Sequence, residues 1–140
     1  MLDLYCGSGA YALEALSRGA VKATGVDADP KAIATARANA KAAGLDEDAT
    51  FVRGDVSSFD VRRRGPFDLV FADPPYGQSA ALGGLAHALG PDGLVVVEQR
   101  FRPGDPDVPS GYVLVADRRY GDTRILTYRL QGGAPRKGVI

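Results

Sequence analysis

The chain has 140 residues, 45% of them hydrophobic, and its 17 Lys+Arg are balanced by 17 Asp+Glu. A chain of this length buries roughly two thirds of its unfolded surface, so it forms a core without disulfides or a structural metal, and the one cysteine, Cys6, can make no internal bridge. Apolar runs such as Leu94 to Val97 fall far short of the ~18 residues of a membrane helix, and the opening Met1-Leu2-Asp3-Leu4 is no basic signal region; one soluble domain in a reducing cytoplasm is expected.

Taken in chain order, Leu2 to Tyr5 reads as a short strand ending in the turn Gly7-Ser8-Gly9, and Ala10 to Arg18 as a helix stopped by Gly19. Val21 to Val26 gives a second strand. Asp29-Pro30 supplies an N-cap and a first-turn proline for an Ala-rich helix over Lys31 to Ala43, which Gly44 ends. Thr50 to Val52, Phe67 to Ala72 and Leu94 to Glu98 are the next strands, with a weaker helix from about Ala80 to Leu89 before the turn Pro91-Asp92-Gly93. Strands that alternate with helices demand a mostly parallel α/β sheet. Tyr112 to Ala116 and Arg124 to Tyr128 break the pattern: Asp117 to Thr123 is too short for a helical crossover, so an antiparallel C-terminal hairpin is predicted. Gln99 to Gly111, with three prolines, reads as an irregular loop. The domain runs over residues 1–130, with 131–140 a flexible tail.

Charge is unevenly spread. Residues 1–60 hold 6 Lys+Arg against 9 Asp+Glu, and residues 61–140 hold 11 against 8, including Arg62, Arg63, Arg64, Arg118, Arg119, Arg124 and Arg129. Solvated surface charge accounts for most such runs, although Arg118 and Arg119 beside the hairpin are placed to meet phosphates.

Gly7, Gly9 and Ala12 satisfy a G-x-G-x-x-A turn between strand and helix, and Asp27 follows Gly7 by 20 residues at the end of the second strand. The glycines admit a ligand to the backbone, the helix N-terminus favours negative charge, and a carboxylate at that spacing can accept from both ribose hydroxyls of a nucleoside. A bare tight turn explains the glycines equally well, and capping explains Asp29; the added spacing to Asp27 favours the nucleoside. Gly54-Asp55-Val56 brings another carboxylate to the end of strand three, where Asp55 can accept from an adenine amino group and the Val56 amide can meet a ring nitrogen.

The fourth strand delivers Asp73-Pro74-Pro75-Tyr76 to its carboxyl end, where doubly wound folds bind ligands. Two prolines stiffen the backbone and donate no N–H, so an Asp carboxylate and a Pro carbonyl can together accept from one planar NH2, with the Tyr76 ring stacking on a base. The competing account is a rigid turn with a core tyrosine. Cys6 has no histidine motif to activate it, and the lone His87 has no thiolate partner for a zinc site, so no metal is expected.

With Asp73-Pro74-Pro75-Tyr76 after strand four and Leu2-Asp3-Leu4-Tyr5-Cys6-Gly7-Ser8-Gly9 along strand one and its turn, the chain resembles the amino-group methyltransferases that use S-adenosylmethionine. Leu13-Glu14-Ala15-Leu16-Ser17-Arg18-Gly19-Ala20 and Arg119-Tyr120-Gly121-Asp122-Thr123 resemble more narrowly the RsmD family, the guanine(966)-N2 methyltransferases of 16S rRNA. The resemblance implies a doubly wound, Rossmann-like class I methyltransferase fold with a seven-stranded sheet, and as partner 16S rRNA or a small-subunit assembly particle, with no membrane. It places Gly7 and Gly9 against the methionine part of the cofactor, Asp27 on its ribose and Asp55 near its adenine, with Asp3, Tyr5, Ala28 and Val56 in the same binding set. Asp73, Pro74, Pro75 and Tyr76 become the amine site.

In the family a basic segment and a helix precede the first strand, grip RNA and cover one sheet face; Met1 here lies only a few residues before the glycine turn, so either the chain is a fragment or a mis-started one, or its RNA binding and stability are reduced. The chain as given is expected to show weak RNA affinity with a shallow salt dependence. The tetrapeptide also suits adenine-N6 or cytosine-N4 methyltransferases, and only the narrower strings argue against them. Release-factor glutamine methyltransferases usually begin it with Asn. An NAD-dependent oxidoreductase shares the glycine turn but has no use for Asp73-Pro74-Pro75-Tyr76, and a non-catalytic module that binds S-adenosylmethionine is the alternative outside enzymology.

Overall fold

The computed structural model describes residues 1–75, 82 and 84–132, and the chain divides into two compact units, Met1–Phe59 and Asp60–Ile140. Tyr76 and residues 133–140 of the expected tail lie outside the described residues, as do Ala80, Ala81 and Gly83 of the helix expected from Ala80 to Leu89. The described remainder of that stretch is not an α-helix: only Leu85–His87 turn, as a 3-10 turn, and Leu89 already opens the next strand.

The first unit is β1 (Leu2–Leu4), α1 (Ala10–Ser17), β2 (Ala23–Asp27), α2 (Pro30–Ala42) and β3 (Ala49–Arg53). Its strands lie in the order β3-β2-β1, all parallel, with Leu4 opposite Val26 and Val26 opposite Val52. β1 is buried at all three positions, including Asp3, as a strand covered on both faces must be. Helix α2 starts where the sequence predicts: Asp29 caps it by accepting from Lys31 N at 2.9 Å, and Pro30 takes the first turn. Ile33, Ala36 and Ala40, at helical spacing, turn its apolar stripe onto the core, where they meet Cys6, Ala12, Leu16 and Phe51. Burying a ring or branched chain of this size is worth roughly 1.5–3 kcal/mol.

The second unit holds β4 (Phe67–Ala72), β5 (Leu89–Arg100), β6 (Tyr112–Tyr120) and β7 (Thr123–Leu130) in the order β4-β5-β7-β6. β4 and β5 are parallel, and β7 is antiparallel to both its neighbours. The seven strands therefore make the mostly parallel α/β architecture with antiparallel C-terminal strands that the resemblance implies. Short 3-10 turns over Val61–Arg63 and Leu85–His87 complete the elements among the described residues.

The largest departures from the expected boundaries are at the start of β5 and in the hairpin. β5 begins at Leu89 instead of Leu94, because Pro91-Asp92-Gly93 does not reverse the chain: Phe67 pairs with Leu89 and Leu69 with Leu94, and the surplus residues are taken up as an irregularity. Gly93 fits there because a Cβ would lie 3.0 Å from both Gly90 O and Phe67 O. The hairpin link is also much shorter than Asp117 to Thr123. Tyr120 pairs with Thr123, leaving a two-residue turn in which Gly121 takes φ 61°, at the first central position, where type II′ turns place glycine.

Arg124 explains why Asp117 joins the strand. Its Nε and Nη2 donate to the two Asp117 carboxylate oxygens at 2.8 and 2.6 Å, and its Nη1 donates to Arg102 O and Gly104 O at 3.1 and 3.0 Å. One buried arginine thus joins both hairpin strands to the loop after β5, which Tyr128 also holds by donating to Asp107 O at 3.0 Å. Hydrogen bonds from Arg124 hold the Asp117 carboxyl below the ordinary carboxylate range. A carboxyl whose folded value is depressed stabilises above its unfolded value, about 4, and that stabilisation is lost as pH falls through the folded value. Thermal melts of Asp117→Asn should therefore lose stability at neutral pH and show a flatter decline than the parent as pH falls below about 4; parallel acid limbs would show that the pair does not couple to folding.

Candidate functional site

The turn after β1 is held in an unusual backbone path. Tyr5 takes φ 59°, a left-handed conformation uncommon for a bulky residue, followed by Gly7 at 53° and Gly9 at 81°. Hydrogen bonds over-determine the strained path: Cys6 N donates to Val26 O at 3.0 Å, Gly9 N to Cys6 O at 2.8 Å, and Asn39 Nδ2 of α2 to Ser8 O at 3.0 Å. Gly9 is the N-cap of α1 and offers no side chain to its first turn.

Asp27 sits at the end of β2 as the spacing predicts. Its Oδ2 accepts from Gly7 N at 2.9 Å and its Oδ1 from Asp29 N at 2.9 Å, so this half-buried carboxylate is fixed against the glycine turn by two backbone amides. β3 closes the same edge through Gly54 N, which donates to Asp27 O at 2.9 Å. Ala28 and Asp55 are exposed, and Tyr5, Gly7 and Val56 are partly so. Asp55 Oδ1 accepts from Ser57 N at 2.9 Å and Ser57 Oγ at 2.7 Å, and these bonds lower its pKa.

Asp3 and Gly9 lie deeper. Asp3 is 1% exposed, and its Oδ2 accepts from Ala12 N at 3.2 Å, placing a negative charge at the positive end of α1. A Cβ on Gly9 would come within 2.9 Å of Phe51 Cζ and 3.1 Å of Ala36 Cβ. Burial, and then the charges of Asp3 and Asp27, push the Cys6 thiol up to about 12, which leaves it protonated and unreactive, as its sequence context suggests. Asn39 is the residue that sequence reasoning missed in this unit. An amide within an Ala-rich helix has a propensity cost and was the available signal.

In the second unit, β4 delivers Asp73, Pro74 and Pro75 to its carboxyl end; Asp73 and Pro75 are exposed and Pro74 is half-buried. Ala72 is paired with Val97, so Asp73, the first residue past the end of β4, comes level with Glu98, which is still within the neighbouring parallel strand β5. Partial burial, and then the charge of Glu98, raise the Asp73 carboxyl above its ordinary value. Glu98 is the second residue the sequence did not disclose, since nothing local encodes which strand runs beside β4.

Of the arginines in the basic half, Arg62, Arg63, Arg64, Arg118 and Arg119 are exposed, whereas Arg124 is buried and committed to Asp117. Among the described residues no group of three or more His, Cys, Asp or Glu is placed to hold a metal, and no helix is long and apolar enough to cross a membrane. A cavity of about 300 Å³ opens beside α2 and β3 at Arg37, Asp46 and Thr50, and none of the predicted site residues borders it.

The family described as Conserved hypothetical protein 95 matches residues 1–129. YlbH of Bacillus subtilis (strain 168) is 32% identical over 139 residues, covering 94% of this chain and 76% of its own. Ribosomal RNA small subunit methyltransferase D of Escherichia coli (strain K12) is also 32% identical, over 92% of this chain and 66% of its own length. A solved structure of a conserved hypothetical protein from Streptococcus pyogenes superposes with a TM-score of 0.80 at 28% identity, covering 95% of this chain and 86% of that one. Sequence and fold agree along almost the whole chain, which belongs to the Conserved hypothetical protein 95 family, the RsmD-type class I methyltransferases.

Proposed function

We propose that the protein transfers a methyl group from S-adenosylmethionine to the exocyclic N2 amine of a guanine, in 16S rRNA or a small-subunit assembly particle, with residues 1–130 as the methyltransferase domain. The observation that carries this reading is Asp73-Pro74-Pro75 at the carboxyl end of β4 in a chain of this family.

The residues of the first unit suit the cofactor. The N-terminal turn of α1, uncapped by Gly9, favours the methionine carboxylate. Each Asp27 oxygen takes one backbone amide and retains a lone pair for a ribose hydroxyl. Asp55 directs an acceptor to the adenine amino group and Val56 its amide to the ring, Tyr5, Gly7 and Ala28 border the ligand, and Asp3 and Gly9 shape the turn from within.

S-adenosylmethionine supplies the electrophilic methyl group. The guanine amine is a poor nucleophile because its lone pair is delocalised into the ring. Asp73 and the Pro74 carbonyl accept hydrogen bonds from the two N–H groups, which favours pyramidal nitrogen and aims its lone pair at the methyl carbon. As the new N–C bond forms, the C–S pair returns to sulfur and the amine loses one proton. The raised Asp73 carboxylate is suited to accept it. Tyr76 stacks on the guanine once it leaves its neighbours.

Asp27→Ala should weaken S-adenosylmethionine binding about tenfold or more by calorimetry, the loss of charge-assisted hydrogen bonds, with circular dichroism unchanged. Unaltered affinity, or a preference for NAD, would overturn the cofactor assignment.

A further inference from the structure

The string Arg119-Tyr120-Gly121-Asp122-Thr123 plays no part at either end of the proposed reaction, yet the structure organises it closely. Phe101 N donates to Asp122 O at 2.6 Å and fastens the end of β5 to the hairpin turn. The Arg119 guanidinium carbon stands 3.7 Å from the Phe101 ring centroid, and its Nε donates to Gly121 O at 2.8 Å. The guanidinium is thus braced by one face and one nitrogen while the residue itself stays exposed. A fork held this way has lost its rotamer freedom in advance and presents its terminal amino groups in the geometry that a phosphate matches.

The next residue points to the opposite face of the hairpin. Tyr120 is 62% exposed, one of few large hydrophobic side chains left in water. The register sets it abreast of Thr123 and Arg100, with Arg118 one row back on the same face beside Ile125 and Glu98. The carboxylates Glu98 and Asp122 stand near, and Asp117 is already neutralised by Arg124, so the tip suits a few phosphates rather than a long backbone track. An exposed aromatic ring next to a preorganised arginine matches the two sequence-tolerant features of an unpaired nucleotide, its π-face and its phosphate.

We infer that the turn joining β6 and β7 docks the substrate RNA, with Arg119, braced on Phe101, holding a backbone phosphate and Tyr120 stacking on an unpaired base. This rests on the proposed RNA substrate and adds where that RNA is gripped away from the reacting amine. The test is fluorescence anisotropy with a labelled stem-loop RNA bearing an unpaired purine-rich loop, alongside calorimetry with S-adenosylmethionine and a thermal melt for each protein. Tyr120→Ala should weaken RNA binding between about 5-fold and 100-fold, whereas Tyr120→Phe, which keeps the ring, should stay near the parent. Arg119→Ala should lower the slope of log K against log salt by roughly 0.7. Cofactor affinity and melting temperature should match the parent in all three. RNA affinities and salt slopes unchanged in Tyr120→Ala and Arg119→Ala would overturn the inference. A parent protein that binds S-adenosylmethionine but no RNA would overturn it together with the RNA substrate, leaving the methyltransferase reading intact.

Discussion

Asp73→Ala is expected to lower turnover about 100- to 1,000-fold while leaving S-adenosylmethionine affinity near the parent value, because a hydrogen bond that strengthens as the amine pyramidalises appears chiefly in kcat. Single-turnover methylation with saturating RNA separates this from a binding defect. The pH dependence carries a second signature. Partial burial and Glu98 raise the Asp73 carboxyl, so the working carboxylate is lost on the acid side at a pH higher than for an ordinary aspartate. Glu98→Gln removes one of those causes and should move the acid limb of kcat to lower pH. Stability runs the other way: a carboxyl raised on folding costs stability once pH exceeds its unfolded value, so Asp73→Asn should melt no lower than the parent at neutral pH and should be inactive. Near-normal turnover in Asp73→Ala would remove the residue from the mechanism.

The second large effect is expected at Gly9. A side chain there meets two penalties at once: a left-handed backbone at φ 81°, costing about 1–2 kcal/mol, and overpacking against the Phe51 ring 2.9 Å away, costing about 1–3 kcal/mol. Gly9→Ala should destabilise by the sum of these and weaken cofactor binding with it, since the same backbone carries the turn. Pairing it with Phe51→Leu relieves the packing part only, so a double-mutant cycle in chemical denaturation should show a favourable coupling and an incomplete rescue. Strict additivity would place the cost entirely in the backbone.

These two positions were legible in the sequence for different reasons. Asp73 announces itself because two prolines after an apolar strand leave few alternatives, and Gly9 because a strand, a G-x-G turn and an acid 20 residues later form one pattern. The start of α2 at Asp29-Pro30 was equally readable, since capping is local chemistry. What the sequence concealed was non-local. Asp117, Arg118 and Arg119 look like a polar loop, and they are strand because Arg124, seven residues after Asp117, satisfies that carboxylate across the hairpin. Pro91-Asp92-Gly93 looks like a turn, and it is absorbed into β5 by its pairing with β4. Glu98 gains its influence on Asp73 from the register of two strands distant in sequence, and Asn39 gains its hold on Ser8 from helix packing.

Cys6, chemically idle in the native fold, gives the first unit a built-in clock. It is the sole thiol in the chain, 6% exposed, and its proton is retained up to about 12. An alkylating reagent at neutral pH therefore reads the frequency with which the β1 turn opens, because each labelling event waits for a fluctuation that exposes and ionises the sulfur. A ligand that grips the Gly7 to Gly9 backbone draws down that open population in proportion to its occupancy, and the labelling half-time lengthens with its concentration. The same cysteine turns occupancy of the turn into a mass-spectrometric rate, independent of whether any methyl group is transferred.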